Sequence, residues 1–470
     1  MINTHRTLLV VALLSGAPLI AAAQSAARFD QAGQLRQTVP GSGSGILTFW
    51  RFIGDTTLER LIDTALDANH SVRVADARVS GARAARLGSA LDLAPAITAT
   101  GGYTRQRVSS LMVPGAVGDL PDQDLWDAGL RLSWEVDVFG RGRNALEGHG
   151  ELVAASEENL RDVQVLIAAN VADAYFELRG AQHRLAVAER NAENQRGTLE
   201  ITVQRLEGGS GTALDTERAR AQLSGTLADI PMLQAEIAAA RQRLGVLTTR
   251  APEELASELG DVPPPVTLPG RLTVSDDDVL ALRRPDVRGA ERQVAASSAF
   301  VDAARAEYLP RVALVGAAGY TSNAFDALGN SGTPRYAIGP VITWPALDFA
   351  RVKASVDAAR AGELEAEARY QQTLLRARAE IRTTIIAYRR SRERLQHLEE
   401  AAEASERAAE LARLRYAEGA SDFLQVLDAE RSLLEAQDRS ALGQTHAAAA
   451  LVAVYRAVGG ALPTSPAGSR

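Results

Sequence analysis

An internal duplication restricts the fold of this 470-residue chain more than any other feature. Trp134 recurs as Trp344, 210 positions later, and upstream residues 69–73 align with residues 284–288. Chance similarity between alanine-rich helices would not keep a tryptophan in such a register. Because repeats bury their apolar surfaces against each other, the duplication predicts two copies of one structural unit rather than three independent domains.

Each copy predicts the same order of elements: a helix, two strands, a long helix, a turn and a shorter helix. The first helices are expected over 56–90 and 275–306. Apolar residues then alternate with polar ones from Leu130 to Val138, a period of two that indicates a strand with one apolar face. The four strands are expected at about 95–107, 128–138, 310–321 and 336–347.

Residues 142–207 and 352–418 are predicted to form uninterrupted helices. In the first, apolar residues step by threes and fours, which is typical of a coiled-coil seam. These seam residues are Leu160, Val163, Ile167, Val171, Ala174, Leu178, Ala181, Leu185 and Ala188. At 1.5 Å per residue each helix would be roughly 100 Å long, more than a single globular domain contains. The chain therefore predicts two helical hairpins, at about 142–248 and 351–459.

The remaining segments are assigned by composition. His5 and Arg6 precede an apolar run, and Ala21 and Ala23 offer a small-residue cleavage site, which is the pattern of a secretory signal peptide. We therefore expect an exported protein. The predicted division is a signal peptide at 1–23, an N-terminal segment at 24–55, a first repeat at 56–248, a proline-rich linker at 249–272, a second repeat at 273–460 and a C-terminal tail at 461–470.

Composition argues against catalysis and against several kinds of ligand. The chain has no cysteine, which excludes a disulfide framework, thiolate metal ligands, a cysteine nucleophile and a thiol-linked lipid. Six histidines are scattered without metal-ligand spacing, and no nucleophile motif is present. A net charge of -7 is atypical of a nucleic-acid-binding protein. We expect no cofactor, no bound metal and no enzymatic activity.

Four strands cannot close a membrane barrel, because open edges are not tolerated in lipid and the smallest bacterial barrels have about eight strands. A membrane role therefore requires several chains, and a trimer would supply twelve strands and a lumen wide enough to be useful. The apolar face would contact lipid. The polar face would line a water-filled lumen with Arg105, Arg107, Arg131, Glu135 and Asp137. Candidate interfacial aromatic residues are Trp126, Trp134, Trp344, Tyr103, Tyr320 and Tyr336. A soluble sandwich would show the same period, but export and the long helices favour the barrel.

Four stretches resemble those of the TolC-type outer-membrane factor family, over about residues 50–460. They are Leu282-Arg283-Arg284-Pro285-Asp286-Val287-Arg288, Ala306-Glu307-Tyr308-Leu309-Pro310, Ser133-Trp134-Glu135-Val136-Asp137-Val138-Phe139-Gly140-Arg141, and Arg415-Tyr416 through Gly419 to Val426-Leu427-Asp428-Ala429. The resemblance implies a membrane α+β fold: a homotrimeric, twelve-stranded barrel in outer-membrane lipid, continued through the periplasm by a coiled-coil α-helical barrel. It also implies two partners, a periplasmic adaptor and an inner-membrane transporter, of RND type because Arg-Arg-Pro-Asp-Val is typical of that branch.

The resemblance also implies a gate at the periplasmic tip, where the two helical turns of each chain converge. It assigns Asp428 to an acidic ring around the threefold axis. It assigns Asp215 and Tyr416 to a hydrogen-bonded restraint on the helix pair that opens. The turns expected to dock the adaptor contain Gly208, Gly209, Gly211 and Gly419.

Two residues of the tip depart from the family pattern. Gln425 stands where some members have a second ring aspartate, and Ser421 where some have an arginine that bridges to the acidic partner. Either the restraint is weaker in this chain, or another arginine, Arg205 or Arg415, supplies the contact.

The sequence therefore favours an outer-membrane channel of a tripartite efflux system, a passive duct for drugs or other toxic small molecules. Two alternatives remain open: an outer-membrane duct for type I protein secretion and, less favoured, a soluble periplasmic adaptor or scaffold. Adaptors usually have one helical hairpin, whereas this chain predicts two hairpins and two pairs of membrane-type strands.

Overall fold

The computed structural model of the chain describes residues 48–51, 53–112, 114–115, 118–260, 268–269 and 277–460. The predicted signal peptide at 1–23 and the C-terminal tail at 461–470 lie outside these residues. So do most of the predicted N-terminal segment and about half of the linker.

The described elements repeat in the order that the duplication predicts. The first copy comprises α1 (Thr56–Ala68), α2 (His70–Leu91), β1 (Ala96–Gln106), β2 (Gln123–Val136), α3 (Arg141–Glu207) and α4 (Ala213–Thr248). A short helix, α5 (Pro252–Glu258), follows within the predicted linker. The second copy comprises α6 (Asp277–Arg283), α7 (Pro285–Arg305), β3 (Arg311–Ser322), β4 (Pro334–Thr343), α8 (Phe349–Ala417) and α9 (Phe423–Ala457).

The helix before each strand pair is broken, where the sequence predicted one helix over 56–90 and one over 275–306. Both breaks have extended backbone, at Asn69 (φ -63°, ψ 130°) and at Arg284 (φ -62°, ψ 136°). Pro285 explains the second break, because the residue before a proline is kept out of the helical region. At the first break Asn69 caps α2 by accepting a hydrogen bond from the Ser71 amide at 2.8 Å.

The two breaks make equivalent contacts with different chemistry. The side-chain amide of Asn69 donates to the Leu247 carbonyl at 2.9 Å, and the Arg284 guanidinium donates to the Ala457 carbonyl at 3.0 Å. Both acceptors lie at the C-terminal end of the second helix of a hairpin, where carbonyls lack helical partners. Each break therefore clamps its copy to the base of its own hairpin.

The strands form one antiparallel meander in the order β1-β2-β3-β4, with β1 and β4 at its edges. β2 begins at Gln123, five residues before the predicted start, because Gln123 to Ala128 pair with β1. β4 ends at Thr343, before the predicted 347, since Pro345 lacks the amide that a strand ladder needs.

The register places most of the large apolar residues of the four strands on one face. Tyr103 lies opposite Trp126, and the same face carries Leu130, Leu314 and Ile338. Much of this face is exposed in the single chain: Ile97 is 69 % exposed, Ile338 67 % and Tyr336 86 %. Arg105 was predicted to lie on the polar, water-lining face, and this prediction is wrong. Arg105 lies on the apolar face, at the hairpin end of β1, where it pairs with Asp122 and Asp124.

Two glycines let β2 and β3 approach closely on the opposite, polar face. Gly129 and Gly319 are paired directly across the two strands. A Cβ at Gly129 would lie 2.6 Å from the Ala318 carbonyl oxygen, and one at Gly319 would lie 2.3 Å from that of Ala128. No side chain fits at either position without moving the backbone.

The main core lies where the hairpins meet the short helices. All nine predicted seam residues of α3 are buried or half-buried, and all but Ala188 lie in this core, which confirms the predicted coiled-coil face. The linker packs against the same core, because Leu255 and Leu259 are fully buried and the Tyr388 hydroxyl donates to the Pro269 carbonyl at 2.6 Å. No helix in the described part of the chain is both long and apolar enough to cross a bilayer.

Candidate functional site

The two hairpin turns are built alike. The long helices α3 and α8 each end in a glycine with left-handed backbone, Gly209 (φ 74°) and Gly419 (φ 76°). The amide after each glycine bonds back to an arginine carbonyl, Ser210 to Arg205 at 2.9 Å and Ala420 to Arg415 at 2.8 Å. Glycine adopts this conformation without steric cost, so it terminates both helices at equivalent positions.

The other two predicted turn glycines differ in what they allow. Gly208 adopts an ordinary backbone conformation at the end of α3 (φ -79°, ψ 1°). A Cβ at Gly211 would lie 3.0 Å from the Cβ of Arg205. Gly211 therefore lets the turn fold tightly against the last residues of α3.

The second helix of each hairpin starts with the same cap. The Thr212 hydroxyl accepts from the Asp215 amide at 3.2 Å, and the Asp422 carboxylate accepts from the Gln425 amide at 3.2 Å. The Thr212 hydroxyl also donates to the Asp215 carboxylate at 2.7 Å. Asp215 and Gln425 thus occupy equivalent third positions of two helix starts, where a capping residue satisfies otherwise unpaired amides.

A small apolar core, which we call the tip cluster, joins the two hairpins near these turns. Its buried members are Ala219, Phe423 and Val426, with Leu199, Ala412, Tyr416 and Leu427 packed around them. The cluster draws side chains from α3, α4, α8 and α9. It is separate from the main core, so the ends of the hairpins are held together by their own contacts.

The restraint on Tyr416 differs from the predicted one. No hydrogen bond joins Tyr416 to Asp215 in the described part of the chain. Instead the Arg205 guanidinium of α3 lies over the Tyr416 ring, 4.1 Å from its centroid, and donates to the Tyr416 carbonyl at 3.1 Å. The ring also packs on Phe423 at 5.6 Å. Of the two arginines that the sequence offered, Arg205 makes this contact, whereas Arg415 is exposed.

The remaining predicted gate residues lie around this contact. Asp428 is exposed on α9 and pairs with Arg431, one turn along the same helix, at 2.9 Å. Gln425 is exposed, and its amide serves the helix cap. The Ser421 hydroxyl is buried without a hydrogen-bond partner among the described residues, so it does not replace a bridging arginine.

A buried charge near the tip was missed by sequence reasoning. Glu430 of α9 is only 3 % exposed, accepts from Arg413 of α8 at 2.9 Å and accepts from the Thr198 hydroxyl of α3 at 3.0 Å. It lies seven residues after the buried Phe423. That spacing, which puts a carboxylate at an apolar seam position, was the signal that could have identified it.

The predicted aromatic residues fall at two levels of the sheet. Near the hairpin ends, the Tyr103 and Trp126 rings are 4.5 Å apart, and Tyr320 and Tyr336 lie on neighbouring strands of the same face. Near the helical end, the indole of Trp134 donates to the Leu93 carbonyl at 2.9 Å. The indole of Trp344 donates to the Tyr308 carbonyl at 3.0 Å.

Away from the tip, α3 carries a strongly perturbed carboxyl group. Burial raises the pKa of Asp173 to about 6, and the nearby Glu177 charge adds to this effect while Arg456 opposes it. Among the described residues, no group of three or more histidine or carboxylate side chains could hold a metal ion.

Comparison with known proteins gives consistent matches over both copies. Residues 61–249 and 278–460 match the family described as outer membrane efflux protein. The probable outer membrane lipoprotein SilC of Salmonella typhimurium is 32% identical over 394 residues, 83% of this chain and 83% of its own length. The antibiotic efflux pump outer membrane protein ArpC of Pseudomonas putida is 31% identical, over 87% of this chain and 84% of its own.

The fold is also similar to that of solved outer-membrane channels. The structure of the outer-membrane channel OprN superposes with a TM-score of 0.79 at 39% identity, covering 87% of this chain and 92% of that one.

Proposed function

Because the chain belongs to the outer membrane efflux protein family, we propose that three copies of it form one duct from the periplasm through the outer membrane. The family places the chain in the outer membrane as the channel component of an efflux system. The soluble-adaptor alternative is therefore not retained. The trimer, the closed barrel, the gate and the cargo are the parts that we propose.

The observation that carries the proposal is the sheet. Most of its large apolar residues share one face, that face is exposed in a single chain, and β1 and β4 leave two open edges. Lipid does not tolerate open strand edges, so the edges must pair with other copies. Three sheets closing edge to edge give twelve strands, with the apolar face outward and Thr98, Arg131 and Glu135 facing the lumen.

The two aromatic levels fit the thickness of a bilayer. Trp126 and Trp134 are eight residues apart on β2, which is about 26 Å of strand at about 3.3 Å per residue. Tyr336 and Trp344 have the same separation on the other strand pair. A strand tilt of about 40° shortens this to about 20 Å, close to the apolar band of about 25 Å in outer-membrane barrels. We assign these residues to the two interfacial girdles.

The tip is the proposed gate. Arg205 of the first hairpin holds Tyr416 of the second, and Asp428 is exposed on α9 just past the turn, where three copies would surround the threefold axis. Crowded carboxylates there attract cations and disfavour the passage of anions. Releasing Arg205 from Tyr416 would free the second hairpin to move away from the axis.

The turns are the proposed docking site for a periplasmic adaptor. Leu214 and Leu424, at equivalent positions just past the two turns, are 57 % and 52 % exposed. Exposed leucines beside Gly209 and Gly419 present a small apolar surface to a helical hairpin. An RND-type inner-membrane transporter would deliver the cargo, small toxic molecules such as the antibiotics for which ArpC is named.

The experiment that tests this proposal is the mass and conductance of protein extracted from outer membranes with detergent. We expect a particle of three mature chains, each lighter than the 49.9 kDa precursor by its signal peptide, that inserts into planar bilayers and conducts weakly until the tip is altered. A parallel measurement is drug susceptibility of a host that lacks its own efflux channel, with and without this chain. A monomer that does not conduct would refute the trimeric duct, and an unchanged susceptibility with export of a polypeptide would favour protein secretion.

A further inference from the structure

Between the main core and the hairpin turns, the contact between the two hairpins changes from apolar to polar. Asn191, Thr198 and Arg205 follow one another at intervals of seven residues on α3. The Asn191 amide donates to the Gln437 side chain of α9 at 3.0 Å, and the Thr198 hydroxyl donates to Glu430 at 3.0 Å. A seven-residue interval keeps side chains on one face of a coiled coil. Asn191 and Thr198 therefore form a line of polar contacts across the seam between α3 and α9, and Arg205, on the same face of α3, contacts Tyr416 of α8.

The partners on α9 run in the opposite direction with the same interval. Gln437 and Glu430 are seven residues apart, and Phe423, seven residues before Glu430, lies in the tip cluster. The step from Asn191 to Thr198 on α3 thus meets the step from Gln437 to Glu430 on α9, as two antiparallel helices in a fixed register require. A slip of one residue in either helix would break every contact in the line.

Glu430 differs from the other members because its charge is buried and has two partners. Arg413, which belongs to the same hairpin as Glu430, keeps the carboxylate paired at 2.9 Å. The Thr198 hydroxyl, which lies 3.1 Å from the Asn194 carbonyl of its own helix and 3.0 Å from Glu430, is the contact that crosses to the other hairpin. If the hairpins part at this seam, Glu430 loses only the threonine hydroxyl and remains paired with its arginine. A buried carboxylate that lost all its partners would be strongly destabilising, so this arrangement lowers the cost of parting.

We propose that Thr198 and Glu430 are a positioning pair that fixes the register of the two hairpins when the tip is closed. The inference rests on the proposed gate and deepens it. Arg205 restrains Tyr416 at the end of the hairpin, whereas Thr198 and Glu430 align the helices one level above it. Glu430 is buried between the hairpins, so the pair acts through the relative position of α3 and α9.

The chain supplies a matched control one turn away. Thr202 is a buried threonine of α3 whose hydroxyl bonds to the Leu199 carbonyl of its own helix at 2.7 Å. The experiment compares Thr198→Val with Thr202→Val in planar bilayers, and thermal unfolding is followed in the same samples. Loss of a hydrogen bond to a carboxylate should shift the closed-to-open equilibrium about ten-fold per protomer. We expect Thr198→Val to raise mean conductance, and Thr202→Val to leave it at the wild-type level with a comparable change in unfolding temperature.

Two further variants keep the test decisive. Thr198→Ser retains the hydroxyl and should restore wild-type conductance. Glu430→Asp keeps the charge for Arg413 but is one methylene shorter toward Thr198, so it should also raise conductance. Equal conductance in Thr198→Val and Thr202→Val, or wild-type conductance in both Thr198→Val and Glu430→Asp, would overturn the inference.

The failure of this inference can be told from failure of the proposed duct. If the wild-type chain forms no trimer and no channel, the duct itself is wrong. If the wild-type chain forms a closed channel that Arg205→Ala opens while the Thr198 and Glu430 variants stay closed, the duct stands and the positioning pair is refuted.

Discussion

Replacing Arg205 by alanine should open the tip, because this residue makes the contact that restrains Tyr416. The substitution removes a guanidinium stacked on an aromatic ring and a hydrogen bond from a charged donor. For a half-buried site the two together contribute about 2 kcal/mol. At 1.4 kcal/mol per factor of ten, this shifts the closed-to-open equilibrium about 30-fold in each protomer. Three protomers that open together would multiply the effect.

Single-channel recording in planar bilayers measures this shift directly, and the duplication provides a control. Arg415 occupies the equivalent position of the second copy and is exposed, so Arg415→Ala should leave conductance unchanged. Tyr416→Phe should also leave conductance unchanged, because the ring and the backbone carbonyl that Arg205 contacts both remain. Tyr416→Leu removes the ring alone and should open the channel about five-fold per protomer, less than Arg205→Ala.

The reasoning fails if Arg205→Ala and Arg415→Ala conduct alike. It also fails if Tyr416→Phe opens the channel as much as Arg205→Ala does. That second result would mean that the hydroxyl of Tyr416 restrains the tip, as the family resemblance implied through a bond to Asp215.

Three other substitutions test separate parts of the structure. Asp428→Ala should weaken block by multivalent cations roughly ten-fold, since it removes three carboxylates from the proposed ring; unchanged block in bilayer recordings would remove Asp428 from the constriction. Asp173→Asn should stabilise the protein at pH 7.5 by up to about 2 kcal/mol and have little effect at pH 4. The folded-state pKa of Asp173 is about 6, so the folded protein loses stability as the pH rises through that value and the buried carboxyl becomes charged. Equal unfolding temperatures of variant and wild type at pH 7.5 would contradict this. Gly129→Ala should abolish recovery of the trimer from outer membranes, because the new methyl group would meet the Ala318 carbonyl at 2.6 Å, whereas Gly102→Ala, with open space around it, should assemble normally.

The periodic features of the structure could be predicted, because they follow from which side chains must be buried. The seam of α3 and the apolar face of the sheet both appear as intervals in the sequence, and both are observed. The break at Asn69 could not be predicted in the same way, because asparagine caps a helix only where the chain also finds a partner for its amide. That partner, the Leu247 carbonyl, lies 178 residues away.

The start of β2 illustrates a second limit. Asp124 and Asp127 interrupt the apolar alternation, so the sequence alone predicted a strand only from residue 128. In the structure Asp124 accepts from the Tyr103 hydroxyl at 2.8 Å, and Asp127 accepts from Thr321 at 2.8 Å. Pairing with β1 and β3 therefore makes a strand of residues whose own preference is for turns.

The two hairpin turns show why the gate proposed for a duplicated chain can be one-sided. Both copies keep the glycine that ends the long helix and the cap that starts the next one, because any hairpin needs them. The restraint is not kept in both, since Leu206 occupies the position in the first copy that Tyr416 occupies in the second. Arg205 therefore has an aromatic ring to contact, whereas the first copy offers Arg415 only a leucine at the equivalent position. In the proposed gate, this contact from the first hairpin to the second is thus made in one direction only, and Arg205 has to leave Tyr416 before the second hairpin can move.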